Sequence, residues 1–221
     1  MSYAPEEKFL LETIFKNKDN VRFLKIGAHD GTTCALYEII KSNKTWTGIF
    51  FEPHKKLFEE LKINYNNDFR FSFENYAVSD KDEEKIFYTL NENIGKIEGN
   101  DKKLCKFTEL NSFYEPVLMK LKDYFKYTEK DVECNLIKSV SINSVLYKYN
   151  IPVDLDLLYI DTEGHDLVIL NKIDFSKYRI KVLVYEFDNS NTDMVLNFRN
   201  QLKNLGYDIY SFWSDDVCVL K

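Results

Sequence analysis

The stretch VRFLKIGAHDG, residues 21–31, decides the fold. An apolar run ends in Gly27, and a second glycine, Gly31, follows where a helix should open. A strand that turns through glycine into a helix lets the backbone approach a ligand closely and frees the helix entrance. The spacing is G-x-x-x-G, not the G-x-G-x-x-G of dinucleotide sites. The wider step leaves room for an amino-acid tail and is a poor cradle for a pyrophosphate. Taken alone, the same turn also suits a purely structural role.

Working outward, strands and helices alternate. Upstream, Phe9, Leu10, Thr13, Ile14 and Phe15 form a stripe that predicts an amphipathic helix over 6–17. Downstream, residues 32–42 read as a helix capped by Thr32 or Thr33. TWTGIFF (45–51) is a strand, Pro53 suits the first turn of a helix over 54–64, and FRFSF (69–73) is a third strand. KIFYTL (85–90) is a fourth, expected in a small hairpin with the segment around Val78. Residues 136–146 hold a strand and a short helix; 154–161 and 180–187 are strands; 165–173 and 192–206 are helices, the last stopped by Gly206. YDIYSFW and VCVLK, joined by Ser214-Asp215-Asp216, close the chain as a hairpin. The expected fold is α/β: a doubly wound sheet, mostly parallel, with the last strand antiparallel at one edge.

Residues 91–131 interrupt the alternation. A segment this long is usually functional or carries its own helix, and 115–127 read as helical. It is rich in aromatic residues: Phe107, Phe113, Tyr114, Tyr124, Phe125 and Tyr127. We read it as an insert covering the acceptor side of the site, with a structural subdomain or a homodimer contact as the alternative.

The chain has 221 residues, 44% of them hydrophobic, which suits one domain over 1–221 carrying that insert. The net charge of -6 argues against a phosphate backbone as partner and for a small or glycan-like substrate. No apolar run is long enough for a membrane span. The start MSYAPEEKFL lacks the pattern of a secretory signal, so the cytoplasm is the expected location. The four cysteines show no CxxC spacing and no zinc pattern with histidine.

Three further blocks carry chemistry. Glu52 ends the second strand, where an acid can accept both hydroxyls of a ribose. NYAVSD (75–80) follows the third strand, the edge that normally meets an adenine. IDTEGHDLVIL (160–170) puts Asp161 at the end of a buried strand, with Glu163 and His165 beyond it and Gly164 for a tight turn. Ionisable groups at the mouth of a parallel sheet point to function, with helix capping by Asp161, Thr162 or Asp166 as the plainer alternative.

FLKIGAHDGTT, GIFFEPHKKLFEEL, NYAVSD and YIDTEGHDLVIL, in that order over about residues 22–187, resemble the FkbM family of methyltransferases. The resemblance implies the class I layout, seven strands with the last antiparallel, and S-adenosylmethionine as cofactor. Gly27, Ala28, His29, Asp30 and Gly31 would hold its methionine portion, and Glu52, followed by Pro53, its ribose. Asn75, Ala77 and Val78 would lie near the adenine and Asp161 near the transferring methyl. Two residues depart from the family pattern. Lys25 stands where many members carry an acid for the cofactor's ammonium, and would meet its carboxylate instead. His29 stands where Asn is common.

The resemblance further implies methylation of a hydroxyl on a sugar, glycan precursor or similar small molecule. Such an acceptor needs a base, and His165 is the first candidate, with Glu163 orienting it or serving instead. Methylation of nitrogen on an amino sugar or peptide, and a non-catalytic cofactor-binding module, remain alternatives. No metal is expected; a cation, if used, would draw on Asp161, Asp188 and Asn189.

Overall fold

The computed structural model describes residues 4–91, 111–120, 122–125, 127–188 and 190–221, with side chains at all of these except Tyr124 and Phe125. Residues 92–110 of the expected insert, Phe107 among them, and Asn189 lie outside the described residues.

Four apolar runs become the central strands β1 (Arg22–Ile26), β2 (Thr47–Phe51), β7 (Asp154–Ile160) and β8 (Arg179–Glu186). With β3 (Phe71–Glu74), β9 (Tyr207–Phe212) and β10 (Asp215–Leu220) they form a seven-stranded sheet in the order β3-β2-β1-β7-β8-β10-β9. All pairings are parallel except those of β10, which runs antiparallel to β8 and β9. Leu24, Ile26, Leu158 and Ile160 point to one face, and Phe23, Leu157, Tyr159 and Val184 to the other. Helices α1 (Pro5–Phe15), α2 (Leu36–Ser42) and α3 (Lys55–Asn64) cover the second face through Leu11, Phe15, Ile40 and Leu61. Helices α6 (Ile142–Lys148), α7 (Asp166–Leu170) and α8 (Thr192–Asn204) cover the first through Val145, Leu170 and Phe198. Burial on both faces is why these strands read as continuous apolar runs.

The chain winds from β1 out to β3, then returns to β7 on the other side of β1. Such a reversal opens a crevice beyond the carboxyl ends of the strands. Register decides which residues meet there. Ile26 pairs with both Phe51 and Ile160, Phe51 with Glu74, and Ile160 with Tyr185. The next residue on each strand therefore falls in one row: Asn75, Glu52, Gly27, Asp161 and Glu186. Asp215, paired with Glu186, extends it.

Three expectations need correction. The segment around Val78, β4 (Ala77–Ser79), does not form a hairpin with β5 (Glu83–Leu90). Strand β6 (Val132–Ser141) lies between them, parallel to β4 and antiparallel to β5, in a separate three-stranded sheet. Asp82, in the turn between β4 and β5, accepts from the Ser141 N–H and the Ser144 hydroxyl, which ties the end of β6 into that gap. Helix α2 begins at Leu36, without a threonine cap, because the Asp30 carboxylate draws Thr32 into a local turn. The helix expected over 115–127 is two short ones, α4 (Glu115–Met119) and α5 (Lys122–Phe125). Gly206 does end α8, at φ +94°. Among the described residues no helix is long and apolar enough to cross a membrane.

The two-sided burial is testable. Leu158, fully buried on β7, should cost about 2–5 kcal/mol when replaced by alanine, as core leucines do. Leu136 on β6, 64% exposed, should change stability by less than about 0.5 kcal/mol. Urea unfolding of both variants gives the comparison, and equal losses would contradict the layering.

Candidate active site

The turn after β1 is built by close approach. The N–H groups of Gly27 and Ala28 both donate to the Phe51 carbonyl, at 3.0 Å each. Gly27 has φ +71°, and a Cβ there would lie 1.8 Å from the backbone oxygen of Asp161. Gly31 has φ +80°, and a Cβ would lie 2.5 Å from the Tyr65 ring. Both positions require glycine for conformation and for space.

Glu52 is 5% exposed, yet its carboxylate reaches the cavity. One oxygen accepts from the His29 N–H at 2.7 Å and the other from the His54 N–H at 2.8 Å. Burial raises its pKa, while the two amides favour the anion and fix its orientation. Asn75 plays a supporting part: its amide donates to the carbonyls of Glu52 (2.8 Å) and Pro53 (3.1 Å).

These residues border a cavity of about 480 Å³. Of the residues expected from sequence, Gly27, His29, Glu52, Pro53, Ala77, Val78, Asp161 and Glu163 line it. Lys25, Ala28, Asp30, Gly31, Asn75 and His165 are not part of its wall. Asp30 bonds to Thr32 and pairs with His29 at 3.3 Å, contacts that hold its carboxyl below the usual range. Lys25 is buried, and its ammonium lies 3.2 Å from Asp161 Oδ2.

His165 takes a place that its spacing did not suggest. It is 1% exposed. Nε2 lies 2.8 Å from the Ser79 hydroxyl, Nδ1 lies 3.0 Å from the Tyr114 hydroxyl, and the ring packs edge-on against Phe113. Burial, aided by Lys85 and opposed by Asp80, lowers its pKa to about 3. With both nitrogens engaged and the ring outside the cavity wall, His165 is not placed to act as the base for a substrate in the cavity. It joins the loop after β7 to β4 and to the segment before α4. The hydroxyl of Ser112 reinforces that joint by donating to the Glu163 carbonyl at 2.7 Å.

Asp161, Glu163 and Glu186 each place an oxygen within 4.8 Å of the others. Burial together with the charges of Glu163, Asp166 and Asp161 holds Glu186 far above the ordinary carboxylate range. Asp215, on the same wall, is pushed up to about 8, chiefly by burial. Asp166 anchors the group: it accepts from Thr162 and, at 2.9 Å, from the Glu186 N–H. The trio suits a shared proton or a divalent cation. Sequence reasoning passed over Glu186 because it reads as part of the apolar strand expected over 180–187. The pairing of Ile160 with Tyr185, invisible in sequence, brings it level with Asp161. It also passed over Trp213, which borders the cavity from the β9–β10 turn, 73% exposed and at φ +36°.

The sequence profile of the methyltransferase FkbM domain matches residues 25–209. Among solved structures, a methyltransferase FkbM from Methylobacillus flagellatus KT is similar at a TM-score of 0.57 and 12% identity, over 99% of this chain and 48% of that one. The chain thus spans about half the length of that relative. An O-methyltransferase from Bacillus cereus solved with S-adenosylhomocysteine reaches 0.46 at 10% identity, over 99% of this chain and 82% of that one. A SAM-dependent O-methyltransferase from Thermotoga maritima reaches 0.46 at 8% identity, over 98% and 65%. No curated protein matches the sequence.

The environment of His165 sets a pH signature. Its folded pKa, about 3, lies below the ordinary histidine value of 6.5, so the unfolded chain binds the extra proton first as pH falls. Its contribution to stability is complete above about pH 6.5 and is lost progressively toward pH 3, at up to ~1.4 kcal/mol per pH unit. His165→Gln should flatten that part of the stability curve, and the His165 ring resonances should not titrate between about pH 8 and pH 5. A ring that titrates near neutrality would restore it as a candidate base.

Proposed function

Because this chain belongs to the FkbM methyltransferase family, we propose that it moves a methyl group from S-adenosylmethionine to a hydroxyl of a sugar, glycan precursor or similar small acceptor. The observation that carries this reading is the row set by strand register: an anchored acid at Glu52, the cradle at Gly27 and a carboxylate group at Asp161, Glu163 and Glu186, all on one cavity. The donor set fits the cofactor. The Glu52 oxygens each keep a lone pair for a ribose hydroxyl after accepting one amide. Gly27 lines the cavity without a side chain of its own, so its backbone can lie against a ligand there. When bound, S-adenosylmethionine supplies an electrophilic methyl group on a sulfonium.

The chain's own residues then have two tasks. One is alignment of acceptor oxygen, methyl and sulfur, which can supply on the order of 7–11 kcal/mol. Rigid strand ends suit that task, since Glu52 and Asp161 directly follow strands. The other is removal of the acceptor's proton. A carboxylate held above its ordinary range is a stronger base once ionised, and the positive sulfonium favours ionisation; Glu186, with Glu163 beside it, fits that part. Trp213, Asp188 and Asp215 line the same cavity, an aromatic ring together with carboxyl groups able to hydrogen-bond hydroxyls, the combination a sugar ring needs. We propose no metal requirement, since a carboxylate base makes one unnecessary. The same acids would also draw in an ammonium group, and that observation favours a second reading, an amine acceptor.

Glu52→Ala should weaken S-adenosylmethionine binding by at least about tenfold with the fold intact, since charged hydrogen bonds contribute roughly 1.5–3 kcal/mol each. Unchanged affinity by calorimetry would remove Glu52 from the ribose site. The acceptor is tested by a methyl-transfer screen, read by mass, over glycosides, sugar nucleotides and amino sugars. Mass gain on hydroxyl-only sugars supports the reading, gain confined to amines supports the second one, and no turnover on any class with cofactor bound points to a binding module. On the true acceptor, Glu186→Gln should lower kcat by about 10²–10⁴-fold, the usual range for a lost general base. Activity that chelator abolishes and magnesium restores would reassign the trio to a cation.

A further inference from the structure

Lys25 is the misfit of the central sheet. It sits mid-sheet on β1 between Leu24 and Ile26, both sealed in the core, and is itself 1% exposed. An apolar residue there would match the rest of the strand, and a buried ion pair is weak support for stability compared with well-packed apolar side chains. An ammonium this deep needs partners, and among the described residues it has two. Its Nζ lies 3.2 Å from Asp161 Oδ2 and 4.0 Å from the centre of the Tyr159 ring. The Tyr159 hydroxyl in turn donates to Glu7 Oε1 on α1 at 3.1 Å. Glu7 is fully buried, and burial raises its pKa to about 7 while Lys25 opposes the rise. A chain of contacts therefore runs from α1 through Tyr159 and Lys25 to Asp161. Asp161 opens onto the cavity, and Lys25 stays beneath it.

The backbone of Asp161 is fixed independently. Its N–H donates to the Ile26 carbonyl at 3.0 Å, and its carbonyl packs over Gly27. What the backbone leaves open is the carboxylate, which has Glu163 and Glu186 close on one side. Like charges there would turn it away from the crevice or neutralise it. The Lys25 ammonium counters both tendencies from below, committing one oxygen and leaving the other to the cavity. We propose that Lys25 is a positioning residue, which from beneath the cavity holds the Asp161 carboxylate toward the amino group of the cofactor's methionine end, so that β7 supplies the acid this ammonium needs. The proposal rests on the reading of the cavity as an S-adenosylmethionine site.

Two ligands separate this role from a structural one. S-adenosylhomocysteine carries the amino-acid end, and methylthioadenosine lacks it while keeping the adenosine. By calorimetry, Lys25→Met and Asp161→Asn should each weaken S-adenosylhomocysteine by at least about tenfold, or roughly 1.4 kcal/mol. The double variant should be no weaker than the worse single one by more than about threefold, because both changes remove the same interaction. Lys25→Arg, which keeps the charge, should recover most of the loss. Methylthioadenosine should bind all variants within about threefold of wild type. Equal losses for both ligands, additive losses in the double variant, or unchanged S-adenosylhomocysteine binding would each overturn the proposal. Should Lys25→Met fail to fold, Asp161→Asn decides: wild-type affinity in that variant overturns it. Wild-type protein that binds methylthioadenosine and not S-adenosylhomocysteine also overturns it; wild-type protein that binds neither overturns the cofactor reading beneath it.

Discussion

Residue 27 has no room for a side chain: a Cβ would fall 1.8 Å from the Asp161 carbonyl oxygen, at a φ of +71° that few other residues adopt. The turn after β1 and the end of β7 can meet only across that gap. The meeting is what makes the reversal of strand order a crevice rather than a packed seam. Parallel pairing then carries the alignment sideways. Because Ile26, Phe51 and Ile160 are register partners, the residues after them share one level, and Glu186 and Asp215 join through β8 and β10. Function-bearing groups scattered over more than 180 positions of sequence become neighbours by a single close approach repeated through hydrogen-bonded strands.

The site so assembled is strongly acidic, and the fold manages that charge in distinct ways. Glu52 is stabilised by two backbone amides aimed at it. Asp161 is paired with a cation from below. Glu186 is left against Glu163, Asp166 and Asp161 and holds its proton far above the ordinary range. These are different electrostatic settings for the same functional group, and in the proposed reading they divide the labour between binding, aiming and proton transfer. His165 contributes neutrality instead of charge. Locked between Ser79 and Tyr114, it couples the loop that carries Glu163 to the segment before α4.

Much of this was legible in the residues. Gly27, Glu52 and Asp161 each close an apolar run, and apolar runs are the strongest local sign of a buried parallel strand. Glycine spacing, strand ends and the final hairpin therefore pointed to both fold and crevice. What stayed hidden depends on pairings between distant segments. Nothing local shows that β6 enters between β4 and β5, or that Glu186 stands level with Asp161. Alternation placed Glu163 and His165 together at the crevice. The chain takes a left-handed turn at Glu163 (φ 52°) and Gly164 (φ 96°), which leaves Glu163 on the cavity wall and carries His165 into the packing beneath the insert. Lys25 reads as a contact for the cofactor's carboxylate, whereas the structure leaves it off the cavity wall with its ammonium on Asp161, a pairing that no local pattern shows.

The most direct measurement is a crystal structure of the protein soaked with S-adenosylhomocysteine. The expected density puts the ribose hydroxyls on the Glu52 carboxylate, the adenine against Ala77 and Val78, and the homocysteine chain over Gly27 with its amino group beside Asp161. Density at any other place on the molecule, or a ligand in this cavity with its ribose away from Glu52, would contradict the assignment of the strand-end row as the cofactor site.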